Sequence, residues 1–410
     1  MATIFLYLII AFLVLDTVVG FTLSWLNAKW MRHPIPKVLE GIYDEAKYRR
    51  QQQYMIDNRR FGRINDVVEL IITLAIVATG LLGWLDTFTT TLTDNLAFQA
   101  IIFVIIVNIV ATIIDLPFSY YDTFVIEERY GFNKTTQRTF WLDRIKGFLV
   151  SIVITGVLLW IVVSLYELWG SRFWVWASLI CCAFLLFVNL FYSNLIVPLF
   201  NKQTPLPSGE LRDAIEAAAR KAGFAMKDIY VIDGSKHSTK ANAYFTGFGA
   251  KRRIVLYDTL MDQLTTDEIV AVLAHEMGHY RHGDTIKQML LSMATIVIYL
   301  FVFSLFVDNA ALSEALGGQR VSFALAIVAF GLLLSPINYI LSPLSNAYTR
   351  RCEYCADRFA ADMGMSQPLI SGLKKLTAES LGNLTPHPLV VKITYSHPTL
   401  VQRITRLMQD

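Results

Sequence analysis

The stretch AVLAHEMGHYRHGD, residues 271–284, holds His275-Glu276-x-x-His279. On a helix, positions four apart share one face, so the two imidazoles can bind a single metal ion. Glu276 stands beside that face and can reach a water at the ion as general base. Gly278 leaves room for a close approach. Thr265-Thr266-Asp267-Glu268 has the form of a capping box and starts the helix that carries both histidines. A catalytic zinc takes three protein ligands and leaves one position for water. His282 is the nearest third candidate, but three ligands within eight residues of one helix cannot all point at one tetrahedral centre. The extended motif with a third histidine needs Gly and His where this chain has His282 and Thr285. His282 therefore reads as a helix-end or surface histidine.

A better third ligand lies downstream in NAYTRRCEYCADRFAADMG, residues 346–364. Glu353 and Asp357 again share one helical face. Glu353 can complete the ligand set, and Asp357 can accept the other ring N–H of a liganding histidine, which fixes its tautomer. In TYSHPTLVQRITR (394–406), His397 precedes Pro398 and could donate to the oxyanion of a tetrahedral intermediate. Arg403 could support it or bind substrate. Cys352 and Cys355 form CEYC, with no second pair to complete a four-thiolate site, and read as reduced spectators beside the buried-type pair Cys181 and Cys182.

The elements that position these residues are mostly apolar. Of 410 residues, 54% are hydrophobic and 17% charged, a balance rare in a soluble domain, and no nucleic-acid partner is expected. Seven runs are long enough to span a bilayer: about 2–26, 67–85, 97–119, 147–168, 173–198, 288–308 and 322–346. The first has an uncharged n-region, MATIFLY, and reads as an uncleaved helix. The loop 27–66 carries nine Lys/Arg and the loop 86–95 none, while 120–146 carries five. By the positive-inside rule the N-terminus lies outside and 27–66, 120–146, 199–287 and the C-terminal segment are cytoplasmic.

The insertion 199–287 opens with a Pro-rich turn, NKQTPLPSGE. A helix capped by Ser208 follows and stops at Gly223, then a strand over 229–234. A β-hairpin pairs 243–248 with 253–257 around Gly249-Ala250-Lys251-Arg252. The expected domains are 1–198, five transmembrane helices; 199–287, a cytoplasmic α/β unit with the metal helix; 288–346, two more transmembrane helices; and 347–410, a soluble helical segment that completes the site.

In this order these elements resemble the type I CAAX prenyl endopeptidases, seven-span membrane zinc proteases of gluzincin type. IEERYGFNKTT (126–136) looks like that family's N-terminal-half signature, and KANAYFTGFG (240–249) is similar to its substrate strand. AHEMGHYRHGD, RRCEYCADRFA and SHPTLVQRI match its zinc helix, third-ligand helix and C-terminal histidine segment. The resemblance implies a multi-pass α-helical fold of about seven spans enclosing a chamber, with one Zn2+ per chain on His275, His279 and Glu353. It implies water activation by Glu276, oxyanion stabilisation by His397 with Arg403 in support, and ligand orientation by Asp357. Asn242 and Ala243 would hold the substrate backbone, with 243–248 as an edge strand that a peptide joins. A chamber could also explain Asp16, Asn108, Asp115, Asn189 and Asn194 within the spans; helix-bridging asparagines and aspartates near span ends explain them equally.

The expected partners are a peptide or protein substrate, possibly prenylated, and the lipid bilayer. The ending LMQD has no dilysine retrieval signal, which favours a bacterial inner membrane over the endoplasmic reticulum. Two alternatives are an HtpX-type quality-control protease, which has fewer spans, and a non-enzymatic channel, transporter or scaffold, in which one of the chemical residues would be missing.

Overall fold

The structure is a computed structural model that describes every residue except Arg32, Ala225, Lys227, 247–252 and Asp410. The chain opens with long apolar helices: α1 (Ala2–Trp30), α2 (Glu45–Ala78), α3 (Leu81–Leu92), α4 (Leu96–Tyr121), α5 (Gln137–Trp169) and α6 (Phe173–Leu195). Two more apolar helices follow later, α10 (Asp284–Ser304) and the pair α12 (Phe323–Leu333) and α13 (Ser335–Asp362). Among the described residues, four helical stretches are long and apolar enough to cross a membrane, and six if each bent pair is one span. One of the four, Gln137–Leu199, contains both α5 and α6, which break at Gly170 and lie side by side. Only 6% of the most apolar window of α1, and 6% of that of α10, is buried within the protein, so their apolar faces need a bilayer to cover them.

Two expected spans are bent. α2 and α3 meet at 60° and α12 and α13 at 54°. The first bend falls at Gly80, whose φ of +68° suits glycine. It fits closely against the segment before α12: the Gly83 N–H donates to the Leu316 carbonyl at 3.0 Å, and a Cβ on Gly83 would lie 2.0 Å from the Gly317 oxygen. The second bend falls where Pro336 enters the first turn of α13. The expected loop 86–95 is helical as far as Leu92. Its threonines turn their hydroxyls back onto the helix, Thr89 to Asp86, Thr90 to Thr87 and Thr91 to Phe88, so their turn-forming tendency is met internally.

The polar unit is built on a four-stranded sheet: β1 (Gln203–Pro205), β2 (Asp228–Ile232), β3 (Ala243–Thr246) and β4 (Arg253–Tyr257) in the order β1-β2-β4-β3. β1 and β3 run antiparallel to their neighbours, and β2 runs parallel to β4. The expected Pro-rich turn thus contains a short edge strand, tolerable for Pro205 because edges spare an N–H. The expected hairpin pairs as predicted over its described strands, with Ala243 opposite Leu256; its turn, 249–252, lies outside the described residues. α7 (Glu210–Lys221) is preceded by Gly209, and Ser208 makes no cap to it. α8 (Asp258–Gln263) and α9 (Thr266–Arg281) follow, and α11 (Ala310–Ala315) lies between the later apolar helices. α14 (Ser366–Glu379), α15 (Pro388–Thr394) and α16 (Leu400–Leu407) close the chain.

Two large cores result. One joins α2, the 126–132 segment, the sheet, α7, α9, α14 and α16 through residues such as Leu39, Ile215, Ile254, Leu273 and Ile404. The other lies among the apolar helices around Phe103, Val163, Phe173 and Phe323. The expected domain boundaries at 287/288 and 346/347 fall inside α10 and α13, so those two helices run unbroken from one layer into the other.

The start of α9 is locked in place. Thr265 and Glu268 form the reciprocal capping box, and Glu268 also accepts from Ser371 at 2.6 Å and Lys375 at 2.7 Å on α14. Burial alone would raise the Glu268 pKa, but the bonds from Lys375, Ser371 and the Thr265 amide outweigh it and hold the carboxyl down at about 2. A carboxyl depressed from 4.5 in the folded state contributes stability above about pH 4.5 that is lost as pH falls towards 2. Glu268→Gln is therefore expected to melt below the parent at pH 7, with the gap closing between about pH 4.5 and 2. Thermal unfolding across that range checks it, and a constant gap would refute it.

Candidate metal centre and active site

α9 presents His275 and His279 one turn apart, their ring centroids separated by 4.8 Å. α13 crosses this face very closely. A Cβ on Gly278 would lie 2.8 Å from the Ala356 Cα and 3.0 Å from the Phe359 Cβ, so only glycine admits the crossing without a shift. The close approach brings Glu353 and Asp357, which flank Ala356, against the two histidines. Glu353 Oε1 lies 3.1 Å from His279 Nε2, and Oε2 lies 3.6 Å from His275 Nε2. Two ligands each about 2.1 Å from one tetrahedral ion stand roughly 3.4 Å apart, so these separations suit a shared cation. His275, His279 and Glu353 offer ligand atoms all within 4.8 Å of one another.

The chemistry of the donors fits the same conclusion. Glu353 is buried, and its Oε2 has no hydrogen-bond donor. A buried carboxylate oxygen left in that state is costly unless a cation completes it. Burial works against charging His279, yet the bond to Glu353 and the bond to Asp284 raise its pKa to about 9. The pocket favours positive charge at the imidazole edge, where a divalent ion would replace the proton.

Both histidines keep Nε2 for the centre because their other nitrogens are taken. His275 Nδ1 lies 2.8 Å from Asp357 Oδ1, and His279 Nδ1 lies 3.0 Å from Asp284 Oδ2. Asp284 escaped the sequence reading. It lies five residues past His279, and Gly283 (φ +68°) turns the chain so that α10 begins with Asp284 buried against the zinc-type helix. The signal was present as His-Gly-Asp directly after the motif.

Arg403 on α16 is mostly buried. Its Nε donates to Asp357 Oδ2 at 2.9 Å, and its guanidinium lies 3.5 Å from Glu353 Oε2 and 3.3 Å from His275 Nδ1. The substrate-binding alternative for Arg403 does not fit this placement, because its donors are committed behind the ligands. Its contacts run to Asp357, Glu353 and His275 and not to His397. The His397 ring is exposed, with Nε2 3.3 Å from Glu353 Oε1 and Nδ1 2.9 Å from Ser396 Oγ. Glu276 is half-buried beside His275. His282 closes α9, its Nδ1 2.7 Å from the Gly278 carbonyl, away from the ligand set.

Asn242 precedes β3 and Ala243 begins it; β3 packs on α9 and has no strand on its outer side among the described residues. Asn242 is exposed; its Oδ1 accepts from the Ala243 N–H at 2.8 Å and its carbonyl accepts from Tyr257 at 3.0 Å. IEERYGFNKTT fastens the segment leading into β3. Glu127 accepts from Lys240 at 2.7 Å, the Lys134 N–H donates to the His237 carbonyl, and the Thr239 N–H donates to the Phe132 carbonyl. Cys352 and Cys355 are free thiols. Asp16, Asn108, Asp115, Asn189 and Asn194, the polar residues singled out within the spans, each find a partner. Asp16 accepts from Tyr339 at 2.7 Å, and Asp115 pairs with Arg144. Asn194 accepts from Arg253, while Asn108 and Asn189 bond back onto their own helices.

With this geometry in hand, comparisons with known proteins point one way. Residues 24–202 match the family described as CAAX prenyl protease N-terminal, five membrane helices, and residues 205–410 match Peptidase family M48. The chain is 34% identical over 381 residues to a CAAX prenyl protease 1 homolog of Oryza sativa subsp. japonica, covering 91% of this chain and 90% of the relative. It is 31% identical to CAAX prenyl protease 1 of Saccharomyces cerevisiae, covering 91% of this chain and 88% of the relative. The crystal structure of S. mikatae Ste24p superposes with a TM-score of 0.93 at 29% identity, covering 98% of this chain and 99% of that one.

Two outcomes are expected from the packing. Gly278→Ala should lower metal affinity and melting temperature together, because the added methyl must push α13 away, whereas Gly156→Ala, which meets nothing within 4 Å, should not. Asp284→Asn and Asp357→Asn should each weaken metal binding by about 10–100-fold in competition with a chelator, the usual cost of losing a partner behind a ligand. Unchanged affinity in either would remove that aspartate from the site.

Proposed function

The chain belongs to peptidase family M48, a membrane metalloprotease by that membership, and on that premise we propose that it is a zinc-dependent endopeptidase that cuts near the C-terminus of prenylated CAAX-type or other membrane-associated peptides. The observation that carries the reading is the convergence of His275, His279 and Glu353 with an unsatisfied carboxylate oxygen between them. Two imidazoles and one carboxylate are the donor set that suits a catalytic zinc, one per chain, and leave a fourth position open.

An ion held there supplies the Lewis acidity that makes a water nucleophilic near neutral pH. The rest falls to the chain's own groups. Glu276 takes the proton from the attacking water and delivers it to the leaving amine, a transfer worth about 10²–10⁴-fold in rate. His397, exposed at the edge of the site, donates to the oxyanion of the tetrahedral intermediate. Asp357 and Asp284 hold the histidine tautomers, and Arg403 holds Asp357 and balances the carboxylates. A substrate peptide lies along β3 as an added strand, paired with the backbone at Asn242 and Ala243. Prenylated substrates enter the proposal through the relatives, which are named as CAAX prenyl proteases.

For the membrane layout we propose seven spans: α1, α2–α3, α4, α5, α6, α10 and α12–α13. The basic segments 27–66 and 120–146, which in the structure include the start of α2 and of α5, support a metal centre on the cytoplasmic side with the N-terminus opposite.

The test is cleavage of a farnesylated CAAX peptide beside its unprenylated twin, by the parent protein and Glu276→Gln. Only the parent should cut, while both proteins bind one zinc. Preference for the farnesylated peptide supports CAAX processing, and equal cleavage of both peptides supports general membrane proteolysis. Equal cutting by Glu276→Gln sinks the mechanism. His397→Ala should keep its zinc and lose about 10²–10³-fold in kcat, as removal of one oxyanion donor does elsewhere.

A further inference from the structure

A second polar cleft lies away from the metal centre, where α5 begins and α6 ends. It has a volume of about 760 Å3, and four of the residues lining it are cations: Lys146, Lys202, Lys236 and Arg253. One carboxylate, Asp233, faces them. Asp233 is already engaged, its Oδ1 accepting from the Lys202 backbone N–H at 2.7 Å and from Asn201 Nδ2 at 3.2 Å. Lys146 has Asp143 at 3.8 Å, a distant pair that Asp143 shares with His237. Among the described residues, no carboxylate lies within ion-pair distance of the Lys202, Lys236 or Arg253 side chain. Lys146 and Lys236 each spend one donor on a backbone carbonyl, those of Leu199 and Phe200, and keep others free. Arg253 lies over the Tyr230 ring at 5.0 Å and donates to Asn194 at 2.7 Å, which fixes its guanidinium at the cleft.

Placement says what kind of anion belongs here. Lys146 immediately precedes the apolar run 147–168, and Asn194 closes that of α6. The flanking faces of these helices are exposed and apolar, with Leu149, Val153, Phe191, Leu195 and Leu199 each more than 40% exposed. The cleft therefore sits at the boundary of the apolar layer, its cations above and an uncovered hydrocarbon-like surface below. Free phosphate would satisfy the cations and leave that surface bare. A phospholipid satisfies both, its phosphate in the cleft and its chains along α5 and α6.

We propose that this cleft binds the phosphate-bearing headgroup of an anionic phospholipid, at a site separate from the protease centre. A bilayer lipid held there would tie the start of β4 and the end of α6 to the membrane surface. Cations near such a surface are each worth about a five-fold change in affinity for anionic lipid.

The experiment compares the full-length protein, Lys202→Gln, Lys202→Gln/Lys236→Gln, and a charge-matched control, Lys37→Gln/Lys392→Gln. Each is reconstituted in phosphatidylcholine with a minor fraction of phosphatidylglycerol, released into mild detergent, and its retained lipid is counted by native mass spectrometry. The parent and control should retain phosphatidylglycerol over phosphatidylcholine, and retention should fall roughly five-fold for each cleft lysine replaced. Lys202 makes no side-chain hydrogen bond among the described residues, so its single variant keeps the test readable if the double variant folds poorly. Equal retention by the cleft variants and the control overturns the proposal. So does displacement of the lipid by inorganic phosphate alone at millimolar concentration, which would mark a free-anion site.

Discussion

The site depends on how closely α13 can cross α9. Helices usually pack with their axes 8–10 Å apart, set by the side chains at the crossing. Here Gly278 meets the backbone of Ala356, so the crossing is as tight as two small residues allow. That spacing decides the chemistry. Histidine and glutamate side chains are short, and the ligand atoms must meet within a few ångströms of one point. With a larger residue at 278 the two helices would stand apart, and Glu353 could no longer face both imidazoles. Everything else in the polar unit serves to hold this crossing: the capping box at Thr265, the Glu268 bonds to α14, and the core packed around Leu273 and Met277.

The crossing concentrates negative charge. Glu353, Asp357 and Asp284 are all buried within reach of two imidazoles, and the Arg403 guanidinium is set against Glu353 and Asp357. Two of the three carboxylates, Asp357 and Asp284, are satisfied by ring nitrogens. Glu353 is only partly satisfied: Oε1 faces His279 and His397, while Oε2 has no hydrogen bond and only the longer approaches of Arg403 and His275. The arrangement is therefore incomplete as protein alone and complete with a cation. This is the physical reason that His275, His279 and Glu353, rather than any of the exposed acidic residues, are the candidate metal ligands.

Much of this was legible in the chain. His275, Glu276 and His279 announce themselves by helical spacing, and Glu353 with Asp357 by the same spacing and by the need for a third ligand. The apolar runs were legible because their length and composition leave few alternatives. Other features were hidden by their nature. Asp284 opens α10 directly after Gly283, whose positive φ turns the chain, and the His-Gly-Asp sequence by itself does not say that this carboxylate reaches back to His279. Arg403 was visible as a cation, but only the packing of α16 against α13 shows that it faces Asp357. The bends at Gly80 and Leu334 were missed because hydropathy measures composition and is blind to direction. The threonine-rich stretch after Asp86 looked like a loop because its hydroxyls can serve either a turn or a helix; here Thr89, Thr90 and Thr91 bond back onto the helix.

The continuity of α10 and α13 gives the membrane a direct mechanical link to the metal centre. α10 begins at Asp284, whose carboxylate holds His279, and then enters the apolar layer. α13 starts among the apolar helices and carries Pro343 within it before reaching Glu353. A helix transmits displacement along its axis because its backbone bonds are internally satisfied. Glu353 and the Asp284 that holds His279 thus sit on two helices shared with the apolar layer, and Glu353 lies 3.1 Å from His279. A centre mounted on a separate, loop-tethered domain would be insulated from such motion. Mounted on two continuous helices, it is held to the bilayer frame, and its ligand geometry is fixed by the same packing that fixes the spans.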